Sequence, residues 1–213
     1  MKKRKPAKIL NLILTGVGGQ GNVMASRVLA GMLVDAGYVV TIGETFGMSQ
    51  RGGSVMSHLR VSPDEVKSPQ IPAWGADVIV ALEPLEALRV LGVYGNPDVC
   101  VLSNTRPVYP IGVITGELGY PSREIIMEKF SLLAASAWMI DATDAGVRLG
   151  NSVLSNIVMI GALAETGLVP FNRGMFAKEI KKTLPPDKIF INMKAFDEGR
   201  AMIRQGPVAL KNL

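Results

Sequence analysis

The stretch Ile9–Gly21, ILNLILTGVGGQG, places a nearly continuous apolar run directly before a glycine-rich loop. The run Ile9–Thr15 is typical of a buried parallel strand. After the loop, apolar residues recur at helical spacing from about residue 22 to residue 36. A second strand is predicted at Tyr38–Ile42, ending near Glu44. This strand–helix–strand opening predicts an α/β fold: a Rossmann-like open, mostly parallel sheet flanked by helices.

The rest of the chain continues the alternation of strands and helices. Further strands are predicted at Ser54–Val61, Ala76–Leu82, Val99–Ser103 and Trp138–Asp141, with a helix starting at Pro84 and a surface loop at 62–76. Residues 104–122 are rich in Gly, Pro and Tyr, and their pattern assigns them to no element. Residues 153–164 are apolar nearly all round, which predicts a helix buried in the core or under a partner. An amphipathic stretch at 174–183 and a last helix at about 193–204 predict C-terminal helical additions to the sheet.

Composition and charge indicate a folded globular protein and exclude several classes. The chain has 213 residues, of which 48% are hydrophobic and 19% charged. It has no apolar stretch long enough to span a membrane, so a soluble cytoplasmic protein without a membrane partner is predicted. Residues 1–8 contain five of the 23 basic residues and no acidic one, which leaves 18 basic and 18 acidic residues in the remainder. We therefore predict a basic disordered tail at 1–8, a single domain at 9–213 and no nucleic-acid partner.

The glycine loop has the spacing Gly16-x-Gly18-x-x-Gly21, which indicates an anion site when it lies between a strand and a helix. The first glycine permits a tight turn, the second lets the backbone approach a pyrophosphate, and the third permits close helix packing. The additional Gly19 makes the loop more open than packing alone requires, and Gln20 beside it is a further candidate ligand contact. NAD, flavin and coenzyme A all present a pyrophosphate, so the loop alone leaves the ligand open.

Two further features are candidates for ligand contacts. Glu44 follows Gly21 by 23 residues, near the expected end of the second strand, where an acid can accept hydrogen bonds from a ribose. Gly52 and Gly53 lie beside Arg51 and Ser54, so backbone N–H groups lie next to a fixed cation, as suits a phosphate or carboxylate. The same Gly-Gly pair is also typical of a plain turn.

Groups able to catalyse a reaction independently are missing from the sequence. The chain has one cysteine, Cys100, and one histidine, His58, so no Ser-His-Asp or Cys-His set is readable and no metal site is predicted. One cysteine is too few for an iron–sulfur cluster, which needs about four thiolates. We therefore predict no catalytic residue in this chain and expect it to complete the active site of another protein.

Several stretches of the chain together form a family pattern: Thr15–Gly21, Ala25–Arg27, Gly47–Val55, Ser57–Arg60, Ala76-Asp77, Leu82–Arg89, Leu149–Asn151, Asn156–Leu163 and Asn192–Gly199. In these stretches the chain resembles the gamma-type subunits of the 2-oxoacid:ferredoxin oxidoreductases, and within that family the indolepyruvate group. The stretches cover nearly everything from Ile9 to about Met202. The combination GVGGQG with MSQRGGSV is far more specific than either motif alone.

The resemblance implies the oxidative decarboxylation of a 2-oxoacid to an acyl-CoA, with electrons passed to ferredoxin. It also implies a larger alpha subunit that holds thiamine diphosphate and the iron–sulfur clusters, with coenzyme A bound at a shared site. By the same resemblance, the glycines of the first loop cradle a phosphate, and Arg51–Ser54 flank either the active site or the coenzyme A channel. The isolated subunit is expected to be inactive and able to form a homodimer. The alternative is a free-standing NAD- or flavin-binding protein.

Overall fold

The first strand, β1 (Leu10–Val17), lies inside the sheet and is buried along most of its length. The computed structural model describes residues 9–47, 53–203 and 209–210. The predicted tail at 1–8 lies outside the described residues. None of the described helices is long and apolar enough to cross a membrane.

The remaining elements follow the predicted alternation closely. The strands are β2 (Val39–Phe46), β3 (Ser54–Ser62), β4 (Val78–Ala81), β5 (Cys100–Asn104), β6 (Ser136–Ile140) and β7 (Ala209–Leu210). The helices are α1 (Asn22–Asp35), α2 (Pro84–Tyr94), α3 (Ile111–Ile114), α4 (Arg123–Leu133), α5 (Ala142–Arg148), α6 (Ser155–Thr166), α7 (Arg173–Thr183) and α8 (Pro186–Ile203).

Within the described residues the strands form one sheet in the order β2-β3-β1-β4-β5-β6-β7. The ladders β1–β4, β4–β5 and β5–β6 are parallel, whereas β3 is antiparallel to both β1 and β2, and β7 is antiparallel to β6. β2 therefore runs in the direction of β1 but is separated from it by β3. The predicted α/β class and mostly parallel sheet are confirmed, with antiparallel strands at both edges.

Two hydrophobic cores cover the two faces of this sheet. On the α1 face, α1 and α5–α8 pack against side chains such as Leu12 and Leu14 of β1. On the α2 face, α2 and α4 pack against the alternate positions, such as Ile13 of β1 and Ile79 of β4. Because successive side chains of a strand point to opposite faces, the central strands contribute to both cores.

The buried C-terminal helices explain the apolar stretch at 153–164. α6 is buried through its first nine residues and packs against α8. The prediction of a last helix at 193–204 was wrong in its start. α8 begins at Pro186, because the fixed backbone of proline suits the first turn of a helix and the preceding Pro185 separates it from α7.

Candidate functional site: the glycine loop and its two clefts

The glycine loop, Gly16–Gly21, links the end of β1 to the start of α1. Gly19 and Gly21 have φ values of +96° and +81°, a left-handed conformation that glycine adopts without steric cost. Gly21 caps α1 without a side-chain hydrogen bond, and the first turn contains no acidic residue. The first hydrogen bond of α1 runs from the N–H of Ala25 to the carbonyl of Gly21, so the N–H groups of residues 22–24 have no acceptor within the helix. This helix end is therefore suited to an anion.

Gln20 fixes the shape of the loop. Its Oε1 accepts a hydrogen bond from the N–H of Val17 at 2.9 Å, and its Nε2 donates to the carbonyl of Leu82 at 3.0 Å. The same Leu82 carbonyl accepts a bond from Asn104 Nδ2 at 3.1 Å, which ties together the ends of β1, β4 and β5. A Cβ at Gly16 would lie 2.5 Å from Gln20 Oε1, so glycine is required there for this arrangement.

The third glycine of the motif packs against α6. A Cβ at Gly21 would lie 2.4 Å from Asn156 Nδ2, an atom that donates to the Gly21 carbonyl at 3.4 Å. Asn156 Oδ1 and Asn22 Oδ1 are buried without a partner among the described residues. Gly21 thus permits the close approach of α6 beneath the loop.

The structure brings the two sequence motifs together. Gly18 donates its N–H to the carbonyl of Gly53 at 2.9 Å, and Gly47 donates to the carbonyl of Ser54 at 2.7 Å. Residues Arg51 and Gly52 lie outside the described residues. The two loops, joined between Gly18 and Gly53, which are 35 residues apart in sequence, therefore share one edge of the sheet beside the N-terminus of α1.

Two clefts open on either side of the glycine loop. The first cleft, of about 710 Å³, is lined by Val17, Gly18, Gly19, Gly21, Asn22, Val23, Phe46, Gly47 and Val55. The second cleft, of about 490 Å³, is lined by Gly19, Gln20, Arg106, Pro107, Val108, Thr143, Asp144, Val147, Ser152, Val153 and Ser155. Gly19 lines both, and a Cβ there would meet nothing within 4 Å. Both clefts lie at the carboxyl ends of the parallel strands, where open α/β sheets bind ligands.

Glu44 does not line either cleft. It lies on β2 opposite Ser57 of β3, and β3 separates it from β1. Two strand spacings amount to roughly 10 Å. In a dinucleotide site the acid lies on the strand next to the one that precedes the glycine loop, so Glu44 is farther from the loop than such an acid.

Glu83 is a buried acid at the end of β4 that the sequence interpretation did not single out. It is 1% exposed, and its carboxylate accepts hydrogen bonds from the N–H of Glu86 at 2.8 Å, the N–H of Val108 at 3.3 Å and the hydroxyl of Tyr120. Burial raises the pKa of Glu83 above its usual value, and these hydrogen bonds offset part of the rise. Glu83 thus anchors the segment after β5 that forms one wall of the second cleft.

Neither His58 nor Cys100 lines these clefts. His58 is buried on the α2 face, where its ring forms a T-shaped contact with that of Tyr94, and Cys100 Sγ accepts a hydrogen bond from Ser136 Oγ at 3.2 Å. Over residues 9–47 and 53–203, no three His, Cys, Asp or Glu side chains are grouped so as to hold a metal ion.

Comparison with known proteins identifies the family. Residues 11–202 match the model of the pyruvate ferredoxin/flavodoxin oxidoreductase family. The chain belongs to this family. Among the family's curated members, indolepyruvate oxidoreductase subunit IorB of Pyrococcus horikoshii is 39% identical over 196 residues, which cover 90% of this chain and 95% of the relative. 2-Oxoglutarate synthase subunit KorC of Methanothermobacter marburgensis is 30% identical, with 91% and 96% covered.

Solved structures of the family share the fold. Pyruvate oxidoreductase subunit PORC of Thermotoga maritima aligns with a TM-score of 0.68 at 24% identity, covering 92% of this chain and 97% of that chain. 2-Oxoglutarate:ferredoxin oxidoreductase of Magnetococcus marinus, with 2-oxoglutarate, coenzyme A and succinyl-CoA bound, aligns with a TM-score of 0.73 at 19% identity. That alignment covers 95% of this chain and 32% of the longer one. The predicted resemblance to gamma-type subunits is confirmed, and the free-standing NAD- or flavin-binding alternative is not favoured.

Proposed function

We propose that this chain is the small, cluster-free subunit of an indolepyruvate-type 2-oxoacid:ferredoxin oxidoreductase. Its holoenzyme oxidatively decarboxylates a 2-oxoacid to an acyl-CoA and passes the electrons to ferredoxin. The observation that carries this proposal is the similarity, over nearly the full length of both chains, to subunits named for indolepyruvate oxidation. Thiamine diphosphate, which stabilises the carbanion left by decarboxylation, and the iron–sulfur clusters belong to a larger subunit. The small subunit is a single domain over 9–213 and is inactive alone.

Coenzyme A is the ligand that we assign to the glycine loop. The uncapped start of α1, the open backbone of Gly19 and the absence of acids in the first turn all favour a phosphate. Gly16 and Gly21 permit the loop's close packing, Gln20 holds its shape, and Gly18 joins it to Gly53. By the family resemblance, Arg51–Ser54 flank the channel that leads to the reacting centre. Glu44 receives no ligand contact in this proposal.

A matched pair of glycines tests the assignment. Gly19 and Gly150 have nearly the same φ, +96° and +97°, and both face open space, but only Gly19 lines the clefts. An aspartate at either position causes similar backbone strain. At Gly19 its charge also opposes a phosphate, and we expect the KM for coenzyme A to rise at least about tenfold.

The measurement uses the complex co-purified with its larger subunit, with indolepyruvate as substrate and ferredoxin as acceptor. Gly19→Asp should raise the KM for coenzyme A, and Gly150→Asp should leave it within about twofold. The proposed function fails if no complex forms, if turnover proceeds equally well without this chain, or if turnover does not depend on coenzyme A. A micromolar response of the isolated chain to NADH would instead support the NAD-binding alternative.

A further inference from the structure

The second cleft contains a cation that no described residue neutralises. Arg106 is exposed on the segment after β5 and makes no hydrogen bond or ion pair with another described residue. Among the described residues that line either cleft, it is the only one with a basic side chain. A guanidinium has five N–H donors in a planar fork that matches a phosphate.

Two hydroxyl groups in the same cleft are available as donors. Ser155 is 5% exposed, lines the cleft, and its hydroxyl makes no hydrogen bond to another described residue. Thr143 Oγ1 accepts a bond from Asn104 Nδ2 at 2.8 Å, which leaves the hydroxyl hydrogen of Thr143 free to donate. A hydroxyl that lines a cleft without a partner among the described residues can donate its hydrogen to a ligand or to water.

The backbone that carries Arg106 is held on both sides. Asn104 donates to the Leu82 carbonyl, and its Oδ1 accepts the N–H of Thr143 at 3.3 Å. On the other side, Glu83 accepts the N–H of Val108. The position of the Arg106 backbone is therefore fixed relative to the glycine loop, as a preorganised binding residue requires.

One acid also lines the second cleft. Asp144 is exposed in the first turn of α5 and forms no ion pair with Arg106. Its charge opposes that of a bound phosphate. The cleft therefore has one attractive and one repulsive charge, and the two can be removed separately.

We propose that Arg106 binds a phosphate group of coenzyme A, in a second anion subsite across Gly19 from the start of α1. Coenzyme A has two phosphate positions, the pyrophosphate and the 3′-phosphate, and the two clefts that meet at Gly19 offer a place for each. The proposal rests on the proposed function, since it assigns a further contact to the same ligand. Ser155 and Thr143 complete the subsite as hydroxyl donors.

The test measures kcat and KM for coenzyme A in the co-purified complex. Loss of a hydrogen bond to a charged group corresponds to about a ten- to hundredfold loss of affinity. We therefore expect Arg106→Gln to raise the KM for coenzyme A by about that factor while the KM for indolepyruvate stays unchanged. Arg106→Lys should recover part of the loss, and Asp144→Asn should lower the KM. Arg148→Gln, an exposed arginine of α5 that lines neither cleft, is the matched control.

Dephospho-CoA, which is coenzyme A without its 3′-phosphate, identifies which phosphate Arg106 binds. If Arg106 binds the 3′-phosphate, Arg106→Gln will have no further effect on the KM for dephospho-CoA; if it binds the pyrophosphate, the KM will rise for both compounds. An unchanged KM for coenzyme A in Arg106→Gln, in a complex that depends on coenzyme A, overturns this proposal and leaves the proposed function intact. A parallel loss in Arg106→Gln and Asp144→Asn would also overturn it, because a purely structural disturbance does not depend on the sign of the charge removed.

Discussion

At the scale of single residues, Gln20 shows why a motif does not define the role of each of its members. Its position inside the glycine loop predicted a ligand contact. In the structure both polar atoms of its side chain bond to the backbone, at Val17 and Leu82. Gln20 therefore determines where the open amides lie. Sequence spacing could not show this, because Leu82 is brought to the loop only by the pairing of β1 with β4.

His58 makes the stability of the chain depend on pH. Its ring is 1% exposed, Nδ1 accepts the N–H of Ile71 at 3.4 Å, and Nε2 has no partner among the described residues. Burial lowers the pKa of His58 below its usual 6.5. At pH values just below 6.5, His58 is protonated in the unfolded chain but stays neutral in the folded chain. The free energy of unfolding should therefore fall as the pH falls, by up to about 1.4 kcal/mol per pH unit.

The variant His58→Asn tests this prediction, because asparagine keeps an acceptor near Ile71 and does not titrate. Urea unfolding of both proteins should be followed at several pH values between about 7.5 and 5.5. The difference in stability between them should change across this range. Glu83 contributes equally to both proteins and cancels in the difference. Parallel curves would show that His58 is not responsible.

At the scale of elements, the crossing of α6 and α8 depends on two glycines. A Cβ at Gly161 would lie 2.0 Å from the carbonyl oxygen of Phe196, and one at Gly199 would lie 1.8 Å from that of Val158. Both neighbours are backbone atoms, so the helices themselves must separate to make room. Gly161→Ala should therefore lower the free energy of unfolding by roughly 1–3 kcal/mol or more.

Gly92 provides the matched control for that substitution. It lies in α2, is exposed, and a Cβ there would meet nothing within 4 Å. Since alanine is the better helix former, Gly92→Ala should raise the free energy of unfolding by up to about 1 kcal/mol. Thermal and urea unfolding measure both changes. Equal effects of the two substitutions would contradict the close crossing.

The sequence predicted most elements but not the order of the strands. The spacing of apolar residues located β1, α1 and β2 because that pattern is local. It did not show that β3 lies between β1 and β2. One signal could have indicated part of this: residues 47–53 are too few for a crossover, which needs a dozen or more, so β2 and β3 had to be antiparallel. The second cleft could not be predicted from the sequence, because Gly19, Arg106 and Ser155 are brought together only by the tertiary fold.

At the scale of the whole molecule, both cores depend on the same strands. β1 contributes Leu12 and Leu14 to the α1 face and Ile13 to the α2 face, and β4 contributes Val80 and Ile79 in the same way. If the helices of one face detach, apolar side chains of the central strands become exposed to water. The helices of the other face pack against the same strands, so they are destabilised as well. The described residues should therefore unfold as one cooperative unit.

Two fully buried phenylalanines test this cooperativity. Phe176 lies in the core of the α1 face and Phe130 in that of the α2 face. Replacing either with leucine should cost roughly 1–3 kcal/mol, and each should shift the whole unfolding transition. The chain's other tryptophan, Trp74, bonds to α2, so both substitutions are made in a Trp74→Phe background. Far-UV circular dichroism then reports both faces, whereas the fluorescence of Trp138 reports the α1 face against which it packs. If the faces unfold together, Phe130→Leu shifts the circular dichroism and fluorescence midpoints equally. A shift in circular dichroism without a shift in Trp138 fluorescence would mean that the α2 face unfolds independently and that the chain is not a single cooperative domain.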